Sequence, residues 1–408
     1  MEKANPLKEN VIKINVEATT KMMKMERKIL VGVIIIAAII IVGGFTYFWL
    51  SRPKVIELVV WEWSGYEIEE VWFPFKEKNP DVKVSHVLLA DNDAAMARIA
   101  AGDRPDITHF GGDSKLYLDR HVALDAVEPI NLSLIPNWES VHPYFKNYVA
   151  EFSTYDDNVY WIPTDWGSTS IVYRRDLLEA AGLPEPDSWS VFWNSSYAEV
   201  GTAMYDSPSE IGGIIFLALN YTLEDFHNPT DEQVETWKNT LEMAFEQADV
   251  IYDDQYELLE ALKTGEVAVG SLWEEPWAVG LDEGYDLGYV SISPAPDFRE
   301  GENPVTWVSG LSIGKGAKDR GTYELAHDYI NAWLDPRVGS YVIDEYYYGS
   351  TNEEAIEMAD PDVVEMLGLT DPQTKLEKGV LYSYNMPDAA TWDEYFEAWV
   401  AAKAAAAV

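Results

Sequence analysis

The 408-residue chain has no cysteine. That excludes disulfides, thiol nucleophiles, cysteine metal sites and a lipid anchor carried on a cysteine. Basic charge is also scarce, with 29 Lys and Arg against 70 Asp and Glu and a net charge of −41. That balance argues against nucleic acid, whose phosphates reward Lys and Arg. It also argues against docking on an anionic lipid surface. There is no G-x-S-x-G, no H-E-x-x-H and no P-loop, so the common hydrolase, zinc-protease and nucleotide signatures are missing. No fixed-period repeat is visible, which argues against solenoids and propellers.

What is present is unevenly spread. Residues 1–54 hold nine Lys and Arg and four Asp and Glu, a net of +5, so the remainder carries −46. That field would draw cations inward, although solubility alone would also account for it. Residues 29–50 (ILVGVIIIAAIIIVGGFTYFWL) are uncharged and apolar. As a helix they would span about 33 Å, enough for a hydrocarbon core of about 30 Å. Lys21, Lys24, Arg27 and Lys28 precede the run, and only Arg52 and Lys54 follow it. The pattern predicts an uncleaved single-pass anchor with the amino terminus inside and the body outside. The cell surface or periplasm is the expected location.

The body alternates strand and helix signals. Residues 55–61 (VIELVVW), 82–88 and 106–110 read as strands, with helices expected over 68–78 and 94–101. Strands at 267–272 and 307–313 and a helix at 323–334 follow. Thr230 and Gln233 fit a capping box ahead of a helical face of Val234, Trp237, Leu241 and Phe245. This is the pattern of α/β lobes, whose strand carboxyl ends open on a ligand crevice.

Sixteen tryptophans and 24 tyrosines stand out. Several lie at expected strand ends beside acids or glycines. An aromatic face holds a cation, and a neighbouring carboxylate adds a charge-assisted hydrogen bond. Such walls suit an organic amine, and they also suit a sugar. Core packing competes as the role of any single tryptophan; Trp237 and Trp333, on helical faces, are expected in the core.

The ordered series of motifs resembles the extracellular solute-binding proteins of ABC importers, within them the spermidine/putrescine-binding group. The first strand ends in WEWSGY over 61–66, and PDITHFGGD over 105–113 matches the strand and ligand loop that follow in that family. The strongest match is YWIPTDWGSTSIVY over 160–173, followed by RDLLEAAGLPEPDSW over 175–189, GEVA at 265–268 and TWVSG at 306–310.

The resemblance implies an α/β, two-lobed periplasmic-binding-protein fold of the type II-like class after an N-terminal transmembrane helix. The expected division is a cytoplasmic tail at 1–28, the anchor at 29–50 and a linker at 51–55. Lobe one would span 55–165 plus 308–345, and lobe two 166–307 plus 346–408, hinged near 165–168 and 307–310. The implied ligand-binding residues are Trp63, Ser64, Tyr66, Gly112, Asp113, Trp166, Ser207, Glu210, Trp273, Trp307, Ser309 and Tyr348. No catalytic residue, metal or cofactor is implied, and the chain is expected not to be an enzyme.

Expected partners are a small organic solute, best a polyamine, and a permease and ATPase encoded elsewhere, with the chain a monomer. A sugar, an amino-acid derivative or a quaternary amine are alternatives on the same fold; an anchored carbohydrate hydrolase is another class, and a receptor ectodomain a third. Two acids usual in polyamine binders are replaced here by Ser207 and Ser309. Asp113, Asp165, Asp206 or Glu274 are candidates to compensate.

Overall fold

The computed structural model describes residues 21–30, 56–89, 92–110, 114–290, 305–381 and 387–406. It divides into two compact units, Met1–Val55 and Ile56–Val408. In the first, residues 21–30 are helical. Among the described residues no helix is long and apolar enough to cross a membrane; beyond Leu30 the apolar run at 29–50 lies outside them.

The second unit is built on one twelve-stranded mixed sheet. Strand Glu57–Glu62 pairs in parallel with Lys83–Leu88 on one side and Ile107–Phe110 on the other. Helices Phe73–Lys78 and Asn92–Ala101 make the crossovers. Leu58 and Val60 are fully buried, as the apolar run requires. The helix expected over 68–78 is broken in two. A 3-10 turn covers Glu69–Val71, and the helix proper starts at Phe73 with Pro74 in its first turn. Proline lacks the N–H that a continuous helix would need there, so it is tolerated only at a helix start.

A second parallel set, Val269–Trp273, Thr202–Tyr205 and Ala248–Tyr252, lies at the other end of the sheet. Helix Asp231–Gln247 connects two of these strands and opens with the expected capping box at Thr230 and Gln233. Its apolar face packs on helix Ala389–Ala406, with Trp237 edge-on to Tyr395 at 4.9 Å and Phe245 edge-on to Trp399 at 5.3 Å. Val234, Trp237, Leu241 and Phe245 are all buried, and so is Trp333. Each such side chain contributes about 1.5–3 kcal/mol by leaving water.

Two long central strands join the halves. Ile162–Arg174 and Val305–Gly314 are buried almost throughout and run antiparallel to each other. The first half of Ile162–Arg174 pairs with Val305–Gly314, and its second half pairs with Val269–Trp273. Thr169 is the handover residue, opposite both Val305 and Trp273. The pairing slips by one residue between Ser309 and Gly310. A side chain at Gly310 would stand 2.2 Å from the Ile162 carbonyl oxygen and 2.6 Å from the Trp161 ring, so only glycine fits.

Candidate ligand-binding site

Side chains alternate along a strand, so Asp165, Gly167 and Thr169 share one face of the sheet. Their Cα atoms cover about 13 Å at the usual strand rise. Trp307 and Ser309, paired with Gly167 and Asp165, stand on the same face. Gly167 is what lets the Trp307 ring pack against the strand. A Cβ there would come within 2.6 Å of Trp307 Cζ2 and 3.1 Å of Glu274 Oε2.

At one end the Tyr66 hydroxyl donates to Asp165 Oδ2 at 2.9 Å, and Thr164 donates to Oδ1 at 2.6 Å. Tyr66 stacks on His109 at 5.4 Å. The imidazole is held between two carboxylates, with Nδ1 2.5 Å from Glu62 Oε1 and Nε2 3.6 Å from Asp165 Oδ1. Burial would lower the His109 pKa, but the Glu62 charge and the hydrogen bonds of both acids outweigh it and lift it to about 9. The two flanking carboxylates thus favour the charged imidazole and satisfy both ring nitrogens, which suits a structural role.

At the other end Glu210 stands on a π-wound turn, Pro208–Gly212, which Ser207 enters. Its carboxylate accepts from Thr169 Oγ1 at 2.7 Å, the Trp273 indole at 3.1 Å and the Tyr205 hydroxyl at 3.2 Å. Burial pushes the Glu210 carboxyl up, against those three hydrogen bonds. It is partly exposed, and among the described residues no cation pairs with it.

Between the two ends Trp307 meets Tyr348 edge-on at 4.9 Å. Trp307 is buried, yet its indole N–H has no acceptor among the described residues. The half-buried Trp277, which stacks on Tyr289 at 4.8 Å, likewise has no acceptor for its indole N–H among the described residues.

The implied site residues thus fall into groups. Tyr66, Glu210, Trp273, Trp307 and Ser309 come onto or against this face, and Tyr348 lies against Trp307. Ser207 is half-buried and supplies the carbonyl that the Glu210 and Ile211 amides bond. Trp63 is half-buried and Ser64 exposed, at the end of the first strand. Trp166 faces away: it is fully buried, and its indole bonds the Ser350 carbonyl at 3.1 Å. Gly112 and Asp113 lie outside the described residues.

The compensating acids are mostly engaged. Asp206 accepts from Trp399 at 3.0 Å and pairs with Lys403. Glu274 accepts the Ser168 amide at 2.9 Å and the Lys375 ammonium at 2.6 Å.

A family model described as bacterial extracellular solute-binding protein matches residues 73–366. The chain belongs to that family. This solute-binding protein is 23% identical over 324 residues to the putrescine-binding periplasmic protein PotF of Escherichia coli, covering 77% of the chain and 83% of PotF. Its fold superposes on a Listeria monocytogenes protein assigned to spermidine/putrescine ABC transport, with a TM-score of 0.69 at 21% identity, covering 85% of this chain and 98% of that one. It also superposes on MotA of A. tumefaciens B6, determined with glucopine, with a TM-score of 0.60 at 15% identity, covering 86% and 98%. At these identities the structural likeness carries the fold, and the fold is mixed α/β of the periplasmic-binding kind. The family and its relatives are binders rather than enzymes.

Sequence reading missed His109 and Glu62 as a pair, and missed Lys375. The signal for the first was an acid, Glu62, inside an otherwise apolar strand end. Lys375 left none, because it meets Glu274 across 101 residues.

Proposed function

We propose that the chain is the solute-capturing component of an ABC importer and that its solute is a small organic amine of the polyamine class. The observation that carries this is Glu210. It is a partly exposed carboxylate held by three neutral donors, without a cation among the described residues, beside the half-buried ring of Trp273. Such a group gains most from an arriving ammonium, which it meets with a charge-assisted hydrogen bond. The names of the putrescine and spermidine relatives support the same class.

In this reading the apolar segment at 29–50 holds the body outside the cell membrane. Lobes of 55–165 plus 308–345 and 166–307 plus 346–408 close about the central strands near 165–168 and 307–310. The closed monomer then engages a permease and its ATPase, and tethering raises its concentration near them.

A second reading keeps the fold and changes the solute to a hydroxylated one, such as a sugar or an amino-acid derivative. The indole N–H groups of Trp307 and Trp277, without acceptors among the described residues, favour it, because each would donate to a ligand oxygen.

A thermal-shift screen of residues 56–408 separates the two. Saturating ligand at a hundredfold its dissociation constant adds about 2.7 kcal/mol. The amine reading expects a shift with putrescine or spermidine that is lost in Glu210→Gln. A response to sugars alone would retire it.

A further inference from the structure

Three carboxylates approach the face that carries Asp165, Gly167 and Thr169, and their charges are met unequally. Asp165 accepts two hydroxyls and has the His109 imidazole 3.6 Å away. Among the described residues Glu210 bonds only neutral donors. Glu274, beside Gly167 and Trp307, is bound by a lysine of this same chain.

Lys375 is built into that position. It comes from helix Pro372–Lys378, and its side chain is only 5% exposed. Its ammonium donates to Glu274 Oε1 at 2.6 Å and to the Leu367 carbonyl at 2.8 Å, and it stands 5.5 Å from the Trp166 ring centroid. Carboxylate, carbonyl and aromatic face together are the surroundings an organic ammonium seeks. Along the strand, Gly167 and Thr169 are about 7 Å apart, a span that a short alkyl diamine bridges.

We propose that Lys375 determines specificity by occupying, at Glu274, the place of a second ammonium of the solute. The site then grips one amino group, at Glu210, and meets the rest of the solute through aromatic rings and hydroxyls. This deepens the amine reading above and rests on it. The solute class it names is an organic cation recognised through a single ammonium, whatever its other end carries.

Calorimetric titration of the full chain in detergent with putrescine and n-butylamine tests this, since the two share a four-carbon chain and differ by one ammonium. In the unmodified protein the two dissociation constants should agree within about tenfold. A putrescine preference above about tenfold overturns the proposal and leaves the amine reading standing. Lys375→Met should raise putrescine affinity at least about tenfold without changing that for butylamine, and Lys375→Arg should keep the original ratio.

A folded Lys375→Met protein without that gain also overturns the proposal. Loss of one partner from a buried pair can prevent folding. The double variant Glu274→Gln with Lys375→Met removes both charges, and it should return the ratio of the unmodified protein. A double variant that instead gains putrescine affinity counts against the role of Glu274. No heat with either amine in the unmodified protein rejects the amine reading, and the inference with it.

Discussion

Asp165 and Thr169, the residue that donates to Glu210, stand on one face of one strand about 13 Å apart, and the carboxylates of Asp165 and Glu210 are treated in opposite ways. Asp165 is 1% exposed, and its neighbours include the buried imidazole of His109, itself clamped by Glu62. Glu210 is partly exposed and, among the described residues, receives only hydroxyls and an indole N–H. A buried acid with an internal cation is complete and belongs to the scaffold. An acid held in place by neutral donors keeps its charge for something that arrives. The difference separates two carboxylates that composition alone makes equivalent in a chain with 70 acids.

The largest effect that can break this contrast is removal of the internal cation. His109→Ala leaves Glu62 and Asp165 buried against one another. Losing one partner of a buried pair costs about 3–5 kcal/mol, and urea unfolding should show it. Glu210→Gln loses no cation partner, so its stability should stay within about 1 kcal/mol. Equal losses in the two variants would erase the distinction drawn here.

A smaller effect follows from the His109 pKa, lifted from 6.5 to about 9. A pKa raised on folding contributes stability that is full below the unfolded value and disappears as pH climbs through the folded one. Stability should therefore fall between about pH 6.5 and 9, by at most about 1.4 kcal/mol per pH unit. The facing groups are Glu62, Asp165 and the Tyr66 hydroxyl. Glu275, pushed up to about 7 by burial, adds a slope of the same sign below that window. Comparison with His109→Gln isolates the histidine, because the slopes from Glu275 and Glu210 are common to both proteins.

The parts of this picture that were legible in the sequence are those set by local rules. Period-two and period-3.6 patterns marked the three strands at one end of the sheet, Val269–Trp273 toward the other and the buried face of helix Asp231–Gln247, but not the strands Thr202–Tyr205 and Ala248–Tyr252. The capping box at Thr230 was legible because its partners are three residues apart. Pro74 shows a local rule overlooked, for its missing N–H splits a helix that hydrophobic spacing alone would join.

The charge pairing was not legible. Glu62 meets His109 across 47 residues and Glu274 meets Lys375 across 101, and no spacing rule reaches that far. Motif matching could bring Glu210 and Trp273 forward as candidates. It could not say that Asp206 was already committed to Trp399 and Lys403, or that Trp166 points into the core.

The smallest expected effect concerns how Glu210 is held. Trp273→Phe keeps most of the ring and removes the indole N–H that reaches Glu210 Oε2 at 3.1 Å. Thr169 and Tyr205 still donate, and Glu210 is exposed enough for water to take the vacant acceptor. One net hydrogen bond is worth about 1 kcal/mol, so amine affinity should fall about fivefold by calorimetry. The carboxyl pKa should rise further, because a bond that favours the charged form is gone. A loss beyond about a hundredfold would mean that the indole itself contacts the solute, and the Glu210 end of the face would then be an aromatic site assisted by an acid.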